Sequence, residues 1–307
     1  MNCELDAGEP CGLPVAGPLR FKFDRWLLPT TATRQSLAMF TEGTGLGLTL
    51  RPDYDVAARV IDYNLDSAIP GGMVWNLVLH DADQDENGFG FRAFDGNAIG
   101  SSISMSFRTS MDPPVSLAQK PKKAPSCADV LSTLGRAGCS RLGCHSRQTS
   151  AQCAASLPMA WDQGLSQCVA VPRMGLALDD AQGLTTTAVN QVAHETQNGP
   201  DISERVVSGG RFGDQMPIID SGRPENSYLV YKFLIGQAFN RELGERANPA
   251  DPFSATPMTQ AQIDHARDWF IQFGAMPPDD VGFPQGVSPV DTYSTLRDWI
   301  RAGATCP

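Results

Sequence analysis

The chain has 307 residues, a formal net charge of -10, and a composition that is 41% hydrophobic and 19% charged. That length suits two domains, and the composition excludes a disordered chain. The acidic balance argues against a nucleic-acid binder, because Lys120, Lys122 and Lys123 form the only basic cluster and fall in a candidate linker.

Residues 1–16 read as an N-terminal tail. Over 17–112 the apolar residues alternate. Leu19, Phe21 and Phe23 form one run, and Leu46, Leu48 and Leu50 a second. Ile61, Tyr63 and Leu65 follow, then Trp75, Leu77 and Leu79, then Ile103, Met105 and Phe107. Period-two runs broken by Gly, Pro and Asp turns predict an antiparallel β-sandwich. The acidic loop holds Asp81, Asp83, Asp85 and Asn87 beside His80 at calcium-like spacing. Its sixth position is Glu86 and its twelfth is Arg92, so calcium competes there with a solvated acidic hairpin. Pro113, Pro114, Pro121 and Pro125, with the three lysines, mark a linker over 113–126.

From Cys127 to Pro307 the period changes to that of helices. Expected helices cover Cys127 to Gly138, Asn226 to Ile235, Thr259 to Phe273 and Asp291 to Arg301, the last capped by Gly303. Val189 to Gln197, which carries His194, also reads as helical. Long Gly- and Pro-rich loops separate these stretches, giving a mainly α second domain over 127–307.

Eight cysteines point to an oxidising compartment. Cys139 and Cys144 stand four residues apart, and His145 directly follows the second. Three readings are open: a variant of the C-x-x-C-H haem attachment motif, a small disulfide loop beside a surface histidine, or part of a zinc site. In the first, two thiols add across the haem vinyl groups and His145 ligates the iron. Six cysteines then remain: local spacing suggests Cys3 with Cys11 and Cys153 with Cys168, Cys127 with Cys306 would then tie the two ends of the second domain, and sequence does not fix the connectivity. No apolar run is long enough to span a membrane. Met1 to Glu4 lacks a charged and apolar start, so an exported chain would here be a form whose signal has been removed.

A haem iron on His145 needs a sixth ligand. Met276, followed by Pro277 and Pro278 ahead of the last helix, offers a soft thioether, which favours reduced iron. Met216, Met258 and His194 are its rivals, and most of the ten methionines must be core fillers. Trp161, Trp269 and Trp299 are candidates to wall a haem or to fill a core. His265 lies on the polar side of its helix. There is no Ser-His-Asp arrangement, phosphate loop or nucleotide fingerprint.

Two resemblances join these readings. Leu19 to Pro29, the turn at Ile69 to Gly72, the acidic loop and Phe107 to Thr109 resemble bacterial Ig-like domains of cell-envelope proteins. Residues 127–307 resemble a cytochrome c-like domain of large secreted or lipid-anchored bacterial proteins. That resemblance rests on Asp129 to Leu131, Gly138 to His145, Gly175 to Asp179, Ser221 to Lys232, Met276 to Pro278 and Leu296 to Ala304. A four-residue gap between the cysteines is frequent in that group. It implies one covalent haem c on Cys139 and Cys144, axial ligands His145 and Met276, and single-electron exchange with a redox partner protein. It also implies a periplasmic, outer-membrane-associated or extracellular location. The alternative is a haem-free, disulfide-stabilised envelope adhesion or scaffold protein with Cys139 bonded to Cys144. A third reading is a peroxidase-type haem enzyme with an open sixth position.

Overall fold

The computed structural model describes residues 12–13, 18–41, 48, 50–65, 69–83, 89–111, 123–141, 144–153, 159–193, 216–271 and 274–307. They form two compact units. The first draws on Met1–Pro121 and Asp251–Ser254, the second on Lys122–Pro200, Gly213–Ala250 and Ala255–Pro307.

The first unit contains β1 (Gly12–Leu13), β2 (Leu19–Lys22), β3 (Leu37–Thr41), β4 (Leu50–Asp55), β5 (Val60–Leu65), β6 (Val74–Leu79) and β7 (Ile103–Thr109). One sheet has the order β2-β5-β4 and is antiparallel, with Phe21 and Tyr54 both opposite Ile61. The other has the order β1-β7-β6-β3, and its β1–β7 pairing is parallel. Alternation works as expected on β5 and β6, where Ile61, Tyr63, Trp75 and Leu77 are buried. It fails on β7, where Ile103 is 47% and Met105 36% exposed.

The expected Ig-like sandwich is therefore corrected. The strands form two small sheets, and the described residues between β6 and β7 make isolated bridges rather than a strand, Leu27 to Ala93, Asp81 to Phe91 and Arg92 to Ala98. Period-two patterning selects which side chains point inward, but it does not select which strands pair.

The second unit is mixed rather than mainly α. Its helices are α1 (Cys127–Arg136), α2 (Ala181–Thr187), α3 (Tyr228–Leu234), α4 (Gln237–Arg246), α5 (Gln260–Trp269) and α6 (Pro289–Arg301). The strands β8 (Thr149–Ser150), β9 (Met159–Asp162) and β10 (Gln167–Ala170) form an antiparallel sheet of order β8-β10-β9. Short, mostly exposed strands gave no clear alternation.

A capping box starts α1: the Asp129 amide donates to Ser126 Oγ at 3.2 Å, and the Ser126 amide donates back to Asp129 Oδ2 at 2.8 Å. Pro289 sits in the first turn of α6, which buries Tyr293, Leu296, Trp299 and Ile300 and packs on α1, α3 and α4. Phe239 and Tyr293 rings meet edge to face at 5.3 Å between α4 and α6. Among the described residues two disulfides are formed: Cys153–Cys168, as local spacing suggested, and Cys127–Cys306, the pair expected to tie the ends of the second domain.

Other boundaries differ from expectation. The expected helix from Thr259 stops at Trp269, because Phe270 leaves helical geometry. Val189 and Val192 bridge Ile219 and Pro217 instead of forming a helix. The periodicity missed α2, whose Thr185, Thr186 and Thr187 hydroxyls each donate back one turn. Among the described residues, no helix is long and apolar enough to cross a membrane.

Candidate ligand cavity

The end of α1 delivers the first cysteine. The Gly138 amide donates to the Gly135 carbonyl at 3.1 Å, and the Cys139 amide to the Leu134 carbonyl at 3.0 Å. This is a Schellman ending, and it needs a left-handed residue at Gly138, whose φ is 83°. A Cβ there would stand 2.8 Å from Arg141 Nε. The turn places Cys139 inward, 3% exposed.

The next segment is pinned to residues 173–180. The Arg173 amide donates to the Cys144 carbonyl at 2.7 Å and the Leu178 amide to the His145 carbonyl at 2.8 Å. Asp179 Oδ2 accepts from Ser146 Oγ at 2.8 Å and from the Arg147 amide at 2.7 Å. Arg147 Nη2 reaches both oxygens of Asp180, which also caps α2 through the Gly183 amide at 2.6 Å. His145 Nδ1 lies 3.0 Å from the Leu176 carbonyl oxygen. A carbonyl only accepts, so Nδ1 carries a proton and donates to it.

The opposite side comes from α3 and the segment after α5. Every α3 residue is buried. The Met276 amide donates to the Lys232 carbonyl at 3.0 Å, and Lys232 Nζ donates to the Gly274 carbonyl at 3.2 Å.

Between these walls lies a cavity of about 910 Å³ whose lining includes Cys139, Cys144, His145 and Met276. That volume falls in the range of roughly 300–1,000 Å³ usual for small-molecule and cofactor sites. The rest of the lining is largely apolar, with Leu176, Ala193, Ile218, Tyr228, Leu229 and Val281. Cys139 and Cys144 are free thiols, so the expected small disulfide loop is absent. Burial pushes the Cys139 thiol up to about 12, helped by the nearby Cys144.

The other sequence candidates lie elsewhere. Met216 is buried, its carbonyl accepting from the Ala193 amide at 2.9 Å, and does not line the cavity. The Met258 amide donates to Asn240 Oδ1 at 2.7 Å, away from it. Trp161 is 55% exposed, Trp299 is in the core, and Trp269 meets His265 edge to face at 5.6 Å. His194, Cys3, Cys11, Lys120, Lys122, Asp85, Glu86 and Asn87 lie outside the described residues. Arg92 is ion-paired with Asp83, which puts a cation on one presumed calcium ligand. Among the lining residues that sequence reasoning missed are Met174, Lys232, Arg141, Arg173 and Asp280. Met174 is 67% exposed with a left-handed φ of 54°, a backbone state that no sequence pattern announced.

The expectation of a metal-binding protein is corrected. Among the described residues no group of three or more His, Cys, Asp or Glu side chains is placed to hold an ion. That removes the zinc reading, and cytochrome, haem and iron are not established descriptions of this chain. The disulfides from the same set of expectations are present.

No protein-family model and no curated protein matches the chain. Solved structures with some likeness include S-layer proteins. The N-terminal part of the bacterial S-layer protein SbsC gives a TM-score of 0.26 at 13% identity, over 33% of this chain and 22% of that structure. The S-layer protein rSbsC(31-844) gives 0.27 at 14% identity, over 38% and 15%. Domains 1–6 of surface layer protein SbsC give 0.26 at 14% identity, over 36% and 14%. The chain spans less than a quarter of each of these structures, and a likeness this small fixes neither fold nor function.

Proposed function

We propose that the second unit carries one covalently attached haem c and that the protein works outside the cytoplasm. The observation that carries this reading is the convergence of two free thiols, an imidazole and a thioether on one largely apolar cavity. The donor set fits the group. Cys139 and Cys144 would be the residues to tether it, each S–H adding across one vinyl group to give one S–C and one C–H bond, which would need no oxidant. His145, oriented by its Nδ1 bond to the Leu176 carbonyl, and Met276, which lines the same cavity, would be the residues to hold the iron. Haem supplies a one-electron couple when bound, and a thioether ligand raises its potential. The chain's own share is to tether and orient the group and to keep water away from it with α3 and the 274–278 segment. Two disulfides support an oxidising, exported setting in the periplasm, on the outer membrane or beyond it.

Acid–acetone extraction of protein made in a host able to attach haem c tests the reading. The red colour should stay with the polypeptide. Colour passing wholly into the solvent would overturn covalent attachment.

A second reading is a haem-free, disulfide-stabilised envelope scaffold. Two observations favour it: the paired disulfides, and the buried Cys139 thiol, which is held neutral and is a poor nucleophile while the cavity is closed around it. It requires a colourless product from the same host.

A further inference from the structure

Lys232 sits in an unusual place for a lysine. It is 7% exposed, on the α3 wall of the cavity. A buried ammonium is costly unless its donors are satisfied. Here Nζ donates to the Gly274 carbonyl at 3.2 Å and lies 5.5 Å from the centre of the Tyr228 ring. The same residue holds the segment a second time, through its own carbonyl, which accepts from the Met276 amide at 3.0 Å. Gly274 turns the chain with φ 76°, and Pro277 and Pro278 bring no amide of their own to anchor it. Lys232 thus grips the segment at Gly274 and again at Met276, the two residues that bracket Ala275.

We propose that Lys232 is the positioning residue that keeps the Met276 thioether on the cavity wall, a role that rests on reading the cavity as a haem site. The ammonium fixes where the segment enters, and the carbonyl fixes where Met276 begins. Loss of the ammonium removes the bond at Gly274 and leaves the backbone bond at Met276.

The test is amide hydrogen exchange on the full chain, read on a peptide covering residues 274–276. Met276 carries the last amide before two prolines, so its exchange reports the grip directly. In the wild type this amide should be protected. Lys232→Met should speed its exchange roughly tenfold or more, as expected when one hydrogen bond from a charged donor is lost. Lys232→Arg, which keeps a charged donor, should stay close to wild type. In haem-loaded protein, Lys232→Met should also lose the weak near-infrared band of thioether-ligated ferric haem, while Lys232→Arg keeps it. A wild-type amide that exchanges freely would overturn the proposal. So would a folded Lys232→Met protein with unchanged exchange and band, or a folded Lys232→Arg protein as impaired as Lys232→Met. If Lys232→Met does not fold, the wild-type amide and Lys232→Arg decide. Preparations that take up no haem would end the haem reading, and the exchange data would still decide whether Lys232 grips the segment.

Discussion

His145 and Leu176 are joined through the ring, whose Nδ1 lies 3.0 Å from the Leu176 carbonyl oxygen, and the His145 carbonyl accepts from the Leu178 amide of the same segment. Side chain and backbone are fixed by the same short segment. The Nδ1 bond thereby orients the ring.

His145→Ala removes that ring and leaves Cys139 and Cys144 in place. Haem should still attach, and its ferric spectrum should change from low-spin to high-spin with loss of one strong axial ligand. An unchanged low-spin spectrum would place the nitrogen ligand elsewhere.

Met276 lines the cavity, whereas Met216 and Met258 do not. Met276→Ala should therefore lower the reduction potential and abolish the near-infrared thioether band, because harder replacement ligands favour ferric iron. Met216→Ala and Met258→Ala should leave both unchanged. Met174 also lines the cavity, but it is largely exposed at the rim. Met174→Leu should keep the band, and a loss there would transfer the ligand role to Met174.

The disulfides should differ in worth. Cys127–Cys306 closes a separation of 179 residues and Cys153–Cys168 one of 15. Loop-closure entropy assigns roughly 5 kcal/mol to the first and roughly 3 kcal/mol to the second. Urea unfolding of the two double Cys→Ala variants should rank them in that order. Equal losses would show that native-state effects, rather than chain entropy, set their contribution.

The cofactor-free protein should lose stability in alkali through Cys139. Its ordinary value is 9.0 and burial raises it to about 12 in the fold. The raised thiol favours the fold below the unfolded value. Between about 9 and about 12 the unfolded chain releases a proton that the folded chain keeps, so stability falls as pH rises, by on the order of a few kcal/mol in all. Cys139→Ala should flatten that part of the stability–pH curve. Attachment of haem should flatten it equally, since a thioether does not titrate. A slope that survives Cys139→Ala would assign it to another group.

Parts of this architecture were legible in the sequence for physical reasons. Cys153–Cys168 was legible from its local spacing, and Cys127–Cys306 as the pair then left to tie the ends of the second domain. The cavity residues Cys139, Cys144, His145 and Met276 were legible as chemistry, since thiol, imidazole and thioether are distinctive groups. The pairing of strands was not. Ile103 and Met105 alternate like core residues and yet face solvent, because burial depends on which strands neighbour β7. Lys232 and Met174 were hidden for a related reason. One is a charge in a fully buried helix and the other a methionine in a left-handed turn, and both are defined by tertiary surroundings.

The most direct measurement is the intact mass of the full chain purified from a host able to attach haem c, under denaturing conditions that strip any loosely bound group. One haem joined through Cys139 and Cys144 predicts a mass higher than the polypeptide by one haem, and the increment should disappear in the Cys139→Ala/Cys144→Ala variant. A polypeptide mass with no increment, from a host that loads other such proteins, would contradict the account and leave the disulfide-stabilised scaffold in its place.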